Sequence, residues 1–181
     1  VRYITEEKDT QDLLDKRNSL LRLLNDVALG TNKLVSLDDC LQFVIDKICE
    51  YTGWSIGHYI SFENDSLADS GIWNTTLLPE YDLFRAVSGE PAASENIPLY
   101  SSIIRSNEPA WEAIEDAAVQ KNNSKLSVSM QVGLKTIIVL PVISAGKLIG
   151  LLEFLHVEKI EYDAETINGL RNITSELGGF A

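Results

Sequence analysis

The chain reads as an α+β domain: a central antiparallel β-sheet with the N- and C-terminal helices on one face, and short helices and loops over a pocket on the other. Three observations carry this reading. Apolar residues recur at helical spacing near both chain ends. Two segments, 54–74 and 134–156, show strand patterns on either side of short turn sequences. Between them, Pro79 and Pro98 open short helical pieces rather than one long helix.

The first helix is predicted over 8–30, where Leu13, Leu20 and Val27 recur every seven residues beside Leu14, Leu21 and Ala28. Leu23 and Leu24 fill the next turn, giving a wide apolar stripe. Such a stripe packs on its own domain, on a second copy of the chain, or on both. A second helix is predicted over 37–52: Ser36 is a good N-cap, Asp38 and Asp39 suit the first turn, and Gly53 supplies the stop. From Trp54 the period changes to two, placing Ile56, His58, Ile60 and Phe62 on one face of a strand. The turn at 64–66 returns the chain as a second strand, "LADSGIWN".

The pieces "PEYDLFRAVSG" and "PLYSSIIRSN" are short helices with proline at their starts, and "EPAASEN" between them is loop. "EPAWEAI" is a short strand centred on Trp111; "EDAAVQKNNSKLSVSMQVG" is polar, then helical, ending at Gly133. The most apolar run, "GLKTIIVLPVISAGKLIGLLEFLH", is two strands about an Ala-Gly turn. Pro141, Gly146 and Lys147 and the many β-branched residues argue against a transmembrane helix. Pro141 has no N–H, so the ladder there must be an edge, a bulge or a strand end. A last helix starts at Asp163 with Ile167, Leu170, Ile173 and Leu177 on one stripe.

The 181 residues suit one domain with an appended helix, divided as 1–30 and 31–181. At 45% hydrophobic the chain has material for a full core. A net charge of -12 disfavours nucleic acid and anionic membrane surfaces, both of which need a basic footprint. Cys40 and Cys49, nine residues apart on one helix, lie about 13 Å apart along it, too far for a disulfide. Two buried thiols without a framework fit a reducing cytoplasm. The chain opens on Val1 in mid-pattern with no apolar leader, as expected of a piece cut from a longer protein. No phosphate loop, H-E-x-x-H or G-x-S-x-G pattern is found, so no enzyme chemistry is expected.

Three segments, "GWSIGHYISFENDSLADSGIW", "IPLYSSIIRSNEPAWEAIED" and "GLKTIIVLPVISAGKLIGLLEF", in this order and spacing resemble a GAF domain over roughly residues 20–180. The resemblance implies a regulatory sensor module of a signalling protein, such as a sensor histidine kinase or a cyclic-dinucleotide enzyme. It implies an unidentified small-molecule ligand between the sheet and the short helices, a homodimer through the terminal helices, and an output domain outside this chain. The cysteines sit away from the expected pocket, which disfavours a covalent bilin or methionine-sulfoxide chemistry. The cyclic-nucleotide signature is missing, and the cofactor is left unknown.

Five residues are candidates for the pocket. His58 shares a dry face with Ile56 and Ile60; it is either a core histidine satisfied by a neighbour, or a ligand contact or haem axial ligand. Glu153 alternates with Leu151 and Leu155, and a buried carboxylate needs hydrogen bonds or a positive partner. If the last strand neighbours the first, as the resemblance implies, Glu153 approaches His58. Trp73, Phe84 and Trp111 are expected on the roofed side, as ligand walls or as core filler. His156, at a strand end, is expected to be exposed. A dimerisation scaffold without ligand and a haem or redox sensor using His58 are the alternative functions.

Overall fold

The computed structural model describes residues 2–90, 94, 97–117 and 123–180, with backbone only for 2–5. Most of the loop expected over "EPAASEN" and the polar stretch at 118–122 lie outside the described residues. Helix α1 (Arg2–Thr31) is longer than its apolar pattern, and α2 (Leu37–Thr52) matches the sequence reading. Ser36 Oγ accepts the Asp39 N–H at 3.1 Å, and Gly53, at φ 72°, returns its N–H to the Cys49 carbonyl. That left-handed cap is open to glycine at little steric cost. Cys40, Leu41, Val44, Ile45, Ile48 and Cys49 are buried along α2. Each fully buried aliphatic side chain contributes about 1.5–3 kcal/mol.

Strands β1 (Ile56–Glu63) and β2 (Ser66–Trp73) form the first hairpin, and β4 (Thr136–Ser144) and β5 (Lys147–His156) the second. Both turns use left-handed residues, Asn64 and Asp65 in one and Ala145 and Gly146 in the other. This twist suits tight hairpins. With β3 (Ala110–Ala113), the strands pair antiparallel in the order β2-β1-β5-β4-β3. Pro141 pairs with Leu151, but β3 stops pairing at Val139, so β4 is already an edge there. The missing donor therefore breaks no ladder on that side.

The sheet divides two apolar cores. Beneath it, α1, α2 and α7 (Ala164–Leu177) cover Tyr59, Ile138, Leu140, Leu152 and Phe154. Above it, α3 (Asp82–Ser88), α4 (Pro98–Ser106), the single turn α5 (Ile114–Ala117) and α6 (Ser124–Gln131) form a roof. The roof covers Ile56, Ile60, Ile137, Val139, Leu151 and Leu155. Only the C-terminal part of the α1 stripe is used: Leu23 and Val27 are buried, whereas Leu13, Leu14 and Leu21 are more than half exposed. Among the described residues no helix is long and apolar enough to cross a membrane.

Candidate functional site

His58 and Glu153 stand directly opposite each other on β1 and β5. Both point into the roofed core and are buried, at 1% and 0% exposure. The paired register brings His58 Nδ1 to 3.5 Å from Glu153 Oε1, a long contact. His58 Nε2 lies 2.7 Å from Asp69 Oδ1. A carboxylate can only accept, so Nε2 carries the proton there.

A bulge builds this corner. His58 pairs with Trp73 and Ile60 with Asp69, so Tyr59 alone spans Ser70, Gly71 and Ile72. Gly71, at φ 76°, turns the backbone and gives its N–H to Asp69 Oδ1 at 2.9 Å. The bulge thereby aims both Asp69 and Trp73 at one imidazole. Trp73 lies flat on His58, with centroids 3.7 Å apart and planes 9° apart, and Phe84 meets Trp73 edge-on at 6.0 Å. With Nε2 bonded and one face covered, His58 is poorly placed to ligate a haem iron.

The strongest partner of Glu153 comes from the roof. Lys125, in the first turn of α6, is 1% exposed and places Nζ 2.8 Å from Glu153 Oε1. This ion pair is not aligned as a hydrogen bond, and Nζ has no aligned acceptor among the described residues. The Tyr100 hydroxyl of α4 donates to Glu153 Oε2. Lys125 Nζ also stands 5.6 Å from the Phe84 ring centroid and 5.2 Å from that of Tyr100. Burial would push the Glu153 carboxyl up, but the Lys125 charge and the His58 contact outweigh it and hold it at about 2. Burial, then the Glu153 charge and hydrogen bond, push Tyr100 well above its usual value. The His58 hydrogen bond holds Asp69 below the usual carboxylate range against its partial burial.

Four of the five sequence candidates thus meet in one cluster: His58, Trp73, Phe84 and Glu153. Trp111 does not join them, which corrects its expected place on the roofed side. It pairs with Ile138 on β4, and strand parity turns both to the helix face. There Trp111 meets Trp54 edge-on at 6.1 Å, and its Nε1–H donates to the Ile160 carbonyl at 3.0 Å. His156 is not exposed as expected: its side chain is 17% exposed, with Nδ1 3.0 Å from Ser55 Oγ.

Lys125, Tyr100 and Asp69 were missed in the sequence reading. A signal existed for Lys125. A buried Glu153 demands a cation, and residues 75–130 hold only Arg85, Arg105, Lys121 and Lys125. Nothing local chooses among these four. Among the described residues no group of His, Cys, Asp and Glu is arranged to hold a metal ion. Cys40 and Cys49 are free and buried beneath the sheet, and burial pushes Cys49 up to about 12.

Similar architectures are known. The chain is 12% identical to the nlh2 GAF domain of A. aeolicus, in an inactive state; the match covers 91% of this chain and 96% of that one, at TM-score 0.65. It is 20% identical to the GAF domain of a two-component sensor histidine kinase from Bacillus halodurans, covering 81% and 94%, at TM-score 0.62. It is 13% identical to a phycocyanobilin-bound GAF domain from a cyanobacterial phytochrome, covering 88% and 92%, at TM-score 0.62. No curated protein matches the chain in sequence. A profile of the GAF domain matches residues 35–179, which contain all five strands and helices α2 to α7 but not α1, and the chain therefore belongs to the GAF domain family.

Proposed function

We propose that this chain is a non-catalytic sensory domain that binds a small molecule under its roof and passes occupancy to an output domain through α1 and α7. One observation carries the reading. One buried polar atom, Ser88 Oγ, lacks a hydrogen-bond partner among the described residues, and buried Lys125 Nζ has the Glu153 carboxylate as its ionic partner. Ser88 is one helical turn beyond Phe84 on α3, the helix that packs against α6, and the Phe84 ring centroid lies 5.6 Å from Lys125 Nζ. A buried polar group without a partner costs about 1–3 kcal/mol, a penalty that an acceptor on a ligand would relieve. His58, Trp73 and Phe84 would then wall the same space. Relatives named as sensor kinase and phytochrome domains support this role by kinship. The ligand must bind two conformations unequally, otherwise its arrival carries no signal.

Dimerisation through α1 belongs to the same proposal. Leu13, Leu14, Leu21 and Leu29 are 64%, 51%, 56% and 58% exposed, an apolar row that a second copy of α1 would cover. The test is native mass spectrometry of the purified domain, followed by thermal shift against a metabolite library. A bound compound whose stabilising effect is lost in Lys125→Met and Ser88→Ala supports the sensor. A dimer that carries nothing and responds to nothing supports a scaffold with a self-filled core.

A further inference from the structure

We propose that the helix face of the sheet carries a second ligand site, a cleft beneath α1 that takes a small organic ammonium ion with a flat apolar body. A cavity of about 400 Å³ opens between α1, the end of α2, the sheet and the segment joining β5 to α7. This volume lies within the usual range for small-molecule pockets, about 300–1,000 Å³. Its floor is apolar, formed by Leu23, Trp54, Trp111 and Leu170. It is on the opposite side of the sheet from His58 and does not depend on a ligand under the roof.

The cleft is preformed because α1 is held at both ends of it. The Tyr51 hydroxyl of α2 donates to Asp26 Oδ2 at 2.5 Å. Lys16 pairs with Asp163 at 3.1 Å. Between these ties α1 touches α7 closely: a Cβ at Gly169 would lie 2.8 Å from Leu20 Cδ1. The walls are equally fixed, since Trp111 is held by the Ile160 carbonyl and braced edge-on by Trp54.

Charge at the mouth selects the occupant. Lys16, Glu158, Glu161 and Asp163 line the rim. Lys16 and Asp163 neutralise each other, leaving Glu158, which is 81% exposed beside His156 Nε2 at 3.8 Å, and exposed Glu161. An apolar body would be buried against the tryptophans while an ammonium group stays at these carboxylates. A carboxylate of the same shape would meet repulsion instead. Because one wall of the cleft is α1, occupancy bears directly on the helix that the proposed output would read.

The three tryptophans report the outcome. Fluorine NMR of protein labelled with 5-fluorotryptophan is assigned with Trp54→Phe, Trp73→Phe and Trp111→Phe. Phenethylamine is then titrated beside phenylacetate. Phenethylamine should shift Trp54 and Trp111 and leave Trp73, under the roof, unmoved. Phenylacetate should bind about fivefold more weakly, as when an exposed charge pair turns from attractive to repulsive. That preference should fade in 1 M salt and in the double variant Glu158→Gln, Glu161→Gln, whose exposed sites leave folding intact. Ser19→Phe, at the rim, should weaken both probes. Equal or tighter binding of phenylacetate, shifts confined to Trp73, or no shift at millimolar probe would each overturn the proposal. So would shifts of Trp54 and Trp111 that follow protein concentration without probe, since they would assign the cleft to a second copy.

Discussion

Lys125 Nζ stands 2.8 Å from Glu153 Oε1, and neither side chain is more than 1% exposed. This pair joins the roof to the central strand, and it makes Glu153 tolerable inside an apolar sheet. Removing either partner strands the other in a low-dielectric interior.

Glu153→Gln should therefore lower unfolding free energy by about 3–5 kcal/mol, with Lys125→Met comparable. The double variant Glu153→Gln, Lys125→Met should be less destabilised than the sum of the single changes, because no charge is left unpaired. Denaturant melts of the four proteins check this. Strict additivity would mean that the two residues do not act as a pair.

Acid should expose the same carboxylate. Glu153 is depressed from 4.5 to about 2 on folding, so the native state binds this proton less readily than the unfolded chain. Its stabilisation is full above about pH 4.5 and is lost as pH falls through about 2. Asp69, also depressed, acts in the same direction. The stability gap between wild type and Glu153→Gln should shrink over that window when melts are run at successive pH values. A gap that stays constant from pH 6 to pH 2 would remove Glu153 as the titrating group.

Close packing at the end of α7 predicts a severe glycine effect. A Cβ at Gly178 would collide with the Ile143 carbonyl oxygen, a backbone atom with little freedom to move. Gly178→Ala should prevent normal docking of the C-terminal helix and lower the Tm sharply. Gly53→Ala meets nothing within 4 Å but must hold φ near +72°, and should lose only about 1–2 kcal/mol. Comparing the two by calorimetry separates collision from backbone strain.

The exposed leucines of α1 predict self-association. Leu13→Glu with Leu21→Glu should convert a dimer to a monomer in analytical ultracentrifugation, with the Tm of the isolated monomer little changed, since these positions are open. A chain that is monomeric before substitution would end this reading of α1.

Much of the fold was legible because its signals are local. Ser36 and Gly53 bound α2, the alternation from Ile56 to Ile60 sorts β1 into two faces, and Ala145-Gly146 turns the last hairpin. Each depends on the conformational preferences of a few adjacent residues. Trp111 was misplaced because a short strand can turn either face to either core, and only pairing with Ile138 decides which.

By itself, the sequence determined the element order, the sheet's apolar faces and the need of Glu153 for partners, since periodicity and the desolvation of a carboxylate require no knowledge of neighbours. Tertiary structure alone decided which partners those are. Lys125 is 28 residues before Glu153 and Tyr100 is 53 before it, and only roof packing brings them to one carboxylate. The bulge at Gly71 likewise decides that Asp69 and Trp73 share His58. Chain pattern specifies which faces are buried; contacts across the sheet specify what a buried charge meets there.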